Sequence, residues 1–148
     1  TKKMGIIPMA SDHAGFELKE YLREKLTEKG YQIKDMGTYS ADSVDYPDMI
    51  HPLAKAINDG EYKCGIIMCG SGEGVSMTAN KYSGVRCALC WREEIATLAK
   101  QHNNANIIAL PARFITPEQA LSICEAYFAA QFEGGRHQKR VEKIAIKK

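Results

Sequence analysis

The sequence predicts an α/β domain built on a parallel sheet. Two observations carry that expectation: five short apolar runs alternate strictly with segments of helical spacing, and the connections between them are short. A third marks the centre of the fold. The run Ile66-Ile67-Met68-Cys69, bounded by glycines, suits a strand buried on both faces. It passes at once into Gly70-Ser71-Gly72-Glu73-Gly74, and the Val75 to Asn80 segment beyond can start a helix.

In order, Ile6 to Ala10 reads as the first strand, although Pro8 cannot donate to a ladder and is awkward in a central strand. Ser11 to Gly15 makes the turn. Phe16, Leu18, Tyr21, Leu22 and Leu26 then repeat at helical spacing until Gly30 ends the helix. Tyr31 to Asp35 is a second strand, and after a polar loop Asp45-Tyr46-Pro47 introduces a helix from about Pro47 to Asn58, closed by Gly60. The central strand and its glycine loop follow. Val85 to Cys90 is the fourth strand, Arg92 to Gln101 a helix, and Asn106 to Leu110 the fifth strand. Thr116-Pro117-Glu118-Gln119 starts a helix with Thr as N-cap, Pro at the first position and Gln for a capping box; it is expected to run to about Phe132. Gly134-Gly135 breaks it, and Arg136 to about Ile144 is an extra C-terminal helical segment.

A chain of 148 residues, 45% hydrophobic and 26% charged, is expected to form a single domain over 1–148 with a sizeable core. No apolar run approaches the roughly 20 residues of a membrane span, and Thr1 to Gly5 lead into the first strand without a signal-peptide pattern, so a cytoplasmic protein with no membrane partner is expected. Five cysteines in no disulfide-framework spacing fit a reducing compartment. Cys87 and Cys90 form a C-x-x-C, but within a strand that spacing points them to opposite faces, which argues against a zinc or redox pair. A net charge of +2 is close to balance, and the basic segment from Arg136, with six basic residues against Glu142, lacks interleaved aromatics; nucleic acid is not expected as a partner.

The glycine loop points backbone N–H groups at one spot ahead of a helix N-terminus, which suits an anion. It is neither a dinucleotide fingerprint, since Val75 stands where glycine is needed, nor a P-loop, since the lysine and Ser/Thr pair is missing. Cys69, at the carboxyl end of the strand, feels the same field and is a candidate base or nucleophile, against the alternative of an inert buried cysteine. Ligands of parallel sheets bind beyond the carboxyl strand ends, which selects Asp12 and His13 after the first strand and Cys69 to Gly74 after the third; Trp91, Arg113 and the loop at His102 are expected near later strand ends. Asp12 could also be a plain N-cap, and His102 could merely complement a helix C-terminus. Arg136 and Arg140, at i and i+4, share a helical face suited to bidentate phosphate recognition, unless they are only a solvated basic tail. Glu73 is awkward in an anion loop; it either points to water or alters loop shape and substrate preference.

Together, Ser11-Asp12-His13-Ala14-Gly15-Phe16, Asp45-Tyr46-Pro47, Cys69-Gly70-Ser71-Gly72-x-Gly74, Ala79-Asn80-Lys81, Gln101-His102-Asn103-x-x-Asn106 and Glu133-Gly134-Gly135-Arg136-His137-x-x-Arg140 closely resemble the type B ribose-5-phosphate isomerases. That family also contains allose-6-phosphate and galactose-6-phosphate isomerases. The resemblance covers nearly the whole chain. It implies a Rossmann-like αβα sandwich with a five-stranded parallel sheet, a homodimer or dimer of dimers with sites shared between subunits, and no metal or cofactor. It implies Cys69 as the base that moves a proton between C1 and C2 of ribose 5-phosphate, with the N–H groups of Gly70, Gly72 and Gly74 on the enediolate and Ser71 handling sugar oxygens. Asp12 and His102 would open the furanose ring, Tyr46 and Asn103 would contact the sugar, and His13, Arg113, Arg136 and Arg140 would take the phosphate. Some members instead carry a glutamate a few residues into the loop; with Val75 there and Cys69 at the strand end, this chain resembles the cysteine branch. A six-carbon sugar phosphate is the alternative substrate, and a phosphate-ligand sensor the non-enzymatic alternative.

Overall fold

The computed structural model describes residues 5–146. Thr1 to Met4, read above for a signal peptide, and Lys147 and Lys148 of the basic segment lie outside the described residues. Five strands, β1 (Ile6–Ser11), β2 (Gln32–Asp35), β3 (Gly65–Cys69), β4 (Cys87–Leu89) and β5 (Ile107–Pro111), form one parallel sheet in the order β2-β1-β3-β5-β4. Between and after them run α1 (Phe16–Glu28), α2 (Tyr46–Asn58), α3 (Glu73–Ala79), α4 (Glu93–Asn103), α5 (Pro117–Ala129) and α6 (Arg136–Glu142). β3 and β5, at the centre, are buried at every position, as their uninterrupted apolar runs require.

Alternate residues of the central strands feed two cores. Ile66, Met68, Ile108 and Leu110 pack with Leu18, Leu22 and Leu26 of α1 and with Ile123 and Tyr127 of α5. Ile67, Cys69, Ile107 and Ala109 pack on the other face with Ile50, Leu53 and Ile57 of α2 and Val75 and Ala79 of α3. The result is the expected αβα sandwich. The C-x-x-C is split by the same alternation, Cys90 lying in the first core and Cys87 against the second.

Local signals explain most boundaries. Gly30 and Gly60, with φ of 97° and 81°, close α1 and α2 with paired bonds back into the last turn: Gly30 N–H to Thr27 O and Tyr31 N–H to Leu26 O, and Gly60 N–H to Ile57 O and Glu61 N–H to Ala56 O. Thr116 and Gln119 form the expected reciprocal capping box. Pro8 is accommodated because the β1–β3 ladder begins one residue later, at Met9↔Ile66, and because Gly65 beside it has no side chain; a Cβ there would lie 3.4 Å from Pro8 O and 3.0 Å from Leu53 Cδ2.

Several boundaries differ from expectation: β4 is shorter than Val85 to Cys90, α3 begins at Glu73 ahead of Val75, and α6 ends at Glu142 ahead of Ile144. α4 continues through His102 and Asn103 and is closed by Asn104 at φ 49°, an asparagine doing what glycine does elsewhere. α5 stops at Ala129, short of Phe132, because Ala130 turns extended and Glu133 N–H then bonds Gln101 O at 3.0 Å, docking the segment on the end of α4. Among the described residues no helix is long and apolar enough to cross a membrane.

Candidate active site

The chain goes from β1 outward to β2, then returns to the other side of β1 for β3, so the carboxyl ends of β1 and β3 flank the point where the winding reverses. Asp12 and Cys69 sit on those two ends. Asp12 is buried and caps the 3₁₀ turn His13–Gly15, its Oδ1 accepting from Gly15 N–H at 3.0 Å. Capping and pocket lining are both true of it. Gly15 presses on β3 so closely that a Cβ would meet Met68 O at 2.8 Å, which is why the turn can lie against the strand that ends in Cys69.

Cys69 Sγ accepts the Gly72 N–H at 3.2 Å, and Ser71 Oγ accepts the Glu73 N–H at 3.2 Å. Gly72, at φ 78°, takes the left-handed turn that makes this possible, packed under Leu89 and the β5 backbone. With the Gly72 and Glu73 donors so engaged, the loop N–H groups of Ser71 and Gly74 remain for a ligand. Glu73 is exposed and opens α3, where an acid complements the first turn.

The walls come from three other loops. Arg113 N–H bonds Gly70 O at 2.9 Å, and its side chain lies over Gly70, where a Cβ would be 3.3 Å from Nη1. Tyr46, the first residue of α2, lays its ring over Gly74. His13 Nδ1 accepts from Val44 N–H at 3.2 Å, which leaves Nε2 as the hydrogen-bearing nitrogen of the neutral ring. Asp12, His13, Tyr46, Cys69, Ser71 and Arg113 thus line one pocket of about 400 Å³, together with Gly70, Gly74, Ala14 and Phe114. Ala14 and Phe114 carry no chemistry that would have singled them out, and only their neighbours in sequence pointed to them. Trp91 follows β4 and is half exposed, outside this pocket.

His102, Asn103, Arg136 and Arg140 do not join it. The expectation that the His102 loop lies near a carboxyl strand end is overturned: α4 runs back along the sheet, so its last turn lies at the amino ends of the strands, beside the Asn106 and Arg86 backbones that enter β5 and β4. There His102 stacks on His137 with ring centroids 4.3 Å apart and planes 11° from parallel. Glu133 Oε1 lies 3.7 Å from His102 Nε2 and 3.5 Å from His137 Nε2. Burial, followed by the positive charges of His102 and Arg136, lowers the His137 pKa from its ordinary 6.5. Arg136 and Arg140 are exposed on one face of α6, and Asn103 lines a separate cavity of about 970 Å³ with Asn80, Arg86 and Ile144. Asn80 itself is committed to structure, bonding both the N–H and the C=O of Cys87.

The residues from 7 to 144 match the model of the Ribose/Galactose Isomerase family. This chain belongs to that family. It is 42% identical to ribose-5-phosphate isomerase B of Escherichia coli strain K12 over 138 residues, 93% of each protein. Among solved structures it is similar to a ribose 5-phosphate isomerase from Thermotoga maritima, with a TM-score of 0.93, 47% identity, and coverage of 95% of this chain and 97% of that one. It is also similar to ribose-5-phosphate isomerase B from Mycoplasma genitalium, crystallised with bound ribulose 5-phosphate, at a TM-score of 0.90, 42% identity and coverage of 94% and 93%. The family's αβα sandwich is therefore the one described above.

His102, Glu133 and His137 are the one group among the described residues whose potential metal-ligand atoms lie within 4.8 Å of one another. Two imidazoles stacked nearly parallel cannot aim their in-plane lone pairs at a common point, so this arrangement does not suit a metal ion.

Proposed function

We propose that this chain is an aldose–ketose isomerase that interconverts ribose 5-phosphate and ribulose 5-phosphate without a cofactor, using Cys69 as the base. The observation that carries the reading is the pocket at the switch point, where a thiol, a carboxylate and unpaired loop N–H groups converge in a member of the Ribose/Galactose Isomerase family. The relatives named for this reaction, one with ribulose 5-phosphate bound, support it.

In this reading the furanose opens first, by proton loss from the C1 hydroxyl and proton gain at the ring oxygen. The Cys69 thiolate then takes the proton from C2, and the electron pair of that bond moves to form the C1–C2 double bond of the enediolate. Ser71 and Gly74 N–H groups hold the charge that develops on oxygen, and one such donor fixed in place is typically worth about 3 kcal/mol of barrier. The O2 proton then passes to O1, with Ser71 Oγ placed among the sugar oxygens to relay it, the C2–O2 bond becomes the carbonyl, and the proton held by Cys69 returns at C1 to give the ketose. Gly72 N–H, donating to Sγ, supports the thiolate, and Ser71 Oγ and Tyr46 face the sugar oxygens. The phosphate takes no part in the chemistry; gripping it with His13, Arg113, Arg136 and Arg140 uses remote binding energy to position C1 and C2.

The roles of His102, Asn103, Arg136 and Arg140 require a second copy, because α4 and α6 carry them at the far end of their own sheet. A twofold homodimer, or a pair of such dimers, would set the partner's His102 and arginines over the Cys69 pocket twice over. A hexose 6-phosphate is the second reading, favoured by the galactose in the family's own description.

The test compares turnover of ribose 5-phosphate and allose 6-phosphate with chelator present and Cys69→Ala as control. Activity on ribose 5-phosphate that falls at least a thousandfold in Cys69→Ala, with folding intact, is expected. Preference for the hexose would move the assignment to the second reading, and an active Cys69→Ala protein would remove the thiol from the chemistry.

A further inference from the structure

The stacked pair of imidazoles at the end of α4 has a carboxylate that none of the proposed chemistry uses. Glu133 is half exposed, yet its main chain is tied down by the bond from its N–H to Gln101 O, one residue before His102. The left-handed Gly134 and Gly135 turn the chain directly after it, and His137 N–H bonds Gly134 O. These bonds hold the carboxylate beside both rings, 3.7 Å from His102 Nε2 and 3.5 Å from His137 Nε2. His137 is 7% exposed and packs against one face of the His102 ring, while the Glu133 carboxylate lies 3.7 Å from its Nε2 edge.

We infer that Glu133 is a positioning residue for ring opening: clamped to the end of α4, its carboxylate orients the His102 imidazole and offsets its charge while the ring carries a proton. This rests on the ring-opening role proposed for His102. Glu133 need not touch the sugar; it acts through the imidazole, and a neutral amide of the same size would keep the packing while losing the charge. Arg136 and Arg140, one turn apart on the helix that follows, add positive charge in this region, and Glu133 is the carboxylate within 4 Å of the two rings among the described residues.

The chemistry of the two substrates separates ring opening from proton transfer. Ribose 5-phosphate is mostly a closed furanose and must open. Ribulose 5-phosphate cannot close, because its C5 oxygen carries the phosphate and its C4 hydroxyl is too near the C2 carbonyl; in that direction the product can leave as the open aldehyde and close in solution. Turnover of Glu133→Gln, Glu133→Asp and His102→Ala is measured from both ends in the full-length protein. Glu133→Gln is expected to lower kcat from ribose 5-phosphate at least tenfold, with its KM falling in step because unopened furanose accumulates on the enzyme, and to leave kcat from ribulose 5-phosphate within twofold. Glu133→Asp, keeping the charge, is expected to regain most of the loss. His102→Ala should show the same split, more strongly. A split in His102→Ala with none in Glu133→Gln would overturn this inference alone. Equal losses of kcat in both directions for Glu133→Gln would mark a structural role and overturn it too. A His102→Ala protein with no split would overturn the ring-opening role beneath it.

Discussion

Four of the five thiols lie where burial opposes their ionisation. Cys64 is pushed up to about 11, Cys87 and Cys90 to about 12, and Cys124 is raised as well, in each case chiefly because the charged form loses water. Cys69 differs in its surroundings: its Sγ receives the Gly72 N–H and borders a pocket that also holds His13 and Arg113. Iodoacetamide at pH 8 should therefore label Cys69 first in the native protein, with ribulose 5-phosphate slowing the reaction, as read by peptide mass spectrometry. Labelling of Cys87 or Cys90 ahead of Cys69 would count against a reactive thiol at the strand end. The C-x-x-C behaves as two core residues, which its spacing within a strand foretold. The histidine at 137 shows the limit of that kind of reading, since nothing in its local sequence announces the ring it stacks on 35 positions earlier.

Between elements, two contacts deserve a test. Gly74 lies on α3 directly beneath the Tyr46 ring of α2, and a Cβ there would come within 2.6 Å of Tyr46 Cε1 and Cζ. Gly74→Ala should leave the melting temperature unchanged or slightly higher, since alanine favours the helix by roughly 0.5–1 kcal/mol. It should raise KM for ribose 5-phosphate about tenfold by pushing the tyrosine out of the pocket wall. An unchanged KM would remove Tyr46 from sugar binding. The second contact joins α1 to β2. Lys19, fully buried, bonds Glu20 and Asp35 at 2.8 Å each, while Arg23 pairs with Glu20 at 2.6 Å. The Arg23 and Lys19 hydrogen bonds hold the Glu20 carboxyl at about 2, below its ordinary 4.5. A lowered folded-state value means that the unfolded chain binds the extra proton first, so this stabilisation is complete above pH 4.5 and is lost as pH falls from about 4.5 to about 2. Thermal melts across that window should show the loss, and Arg23→Gln should make the curve shallower; identical curves would mean that the network contributes nothing measurable.

For the whole molecule, the distance between the two groups of polar residues is the main fact. One chain puts Asp12, His13, Tyr46, Cys69, Ser71 and Arg113 at one end of the sheet, and His102, Asn103, Arg136 and Arg140 at the other. If two copies share sites by a twofold axis, each site takes Cys69 from one chain and His102 from its partner. Mixing unfolded Cys69→Ala and His102→Ala chains in equal amounts and refolding them together should then restore turnover of ribose 5-phosphate to about a quarter of wild type, because half the dimers are mixed and each has one intact site. No recovery above the two parents would place both residues in the same chain's site or show that they do not cooperate. The order of the elements, the buried central strand, the glycine stops at Gly30 and Gly60, and the Thr116 cap were all legible in the sequence, because periodicity, chain reversal and capping depend on residues within a few positions of one another. So was half of the candidate site, since Asp12 follows β1, Cys69 ends β3, and strand ends are where such sheets bind. The place of His102 was misread because a helix after a parallel strand returns to the amino end, carrying its last turn away from the pocket. The insertion of β5 between β3 and β4, the stacking of His102 on His137, the Glu133 carboxylate beside both rings and the Gly72 bond to Cys69 Sγ were decided only by tertiary structure. These depend on pairing and packing between segments distant in sequence, and no local pattern of residues specifies such a partner.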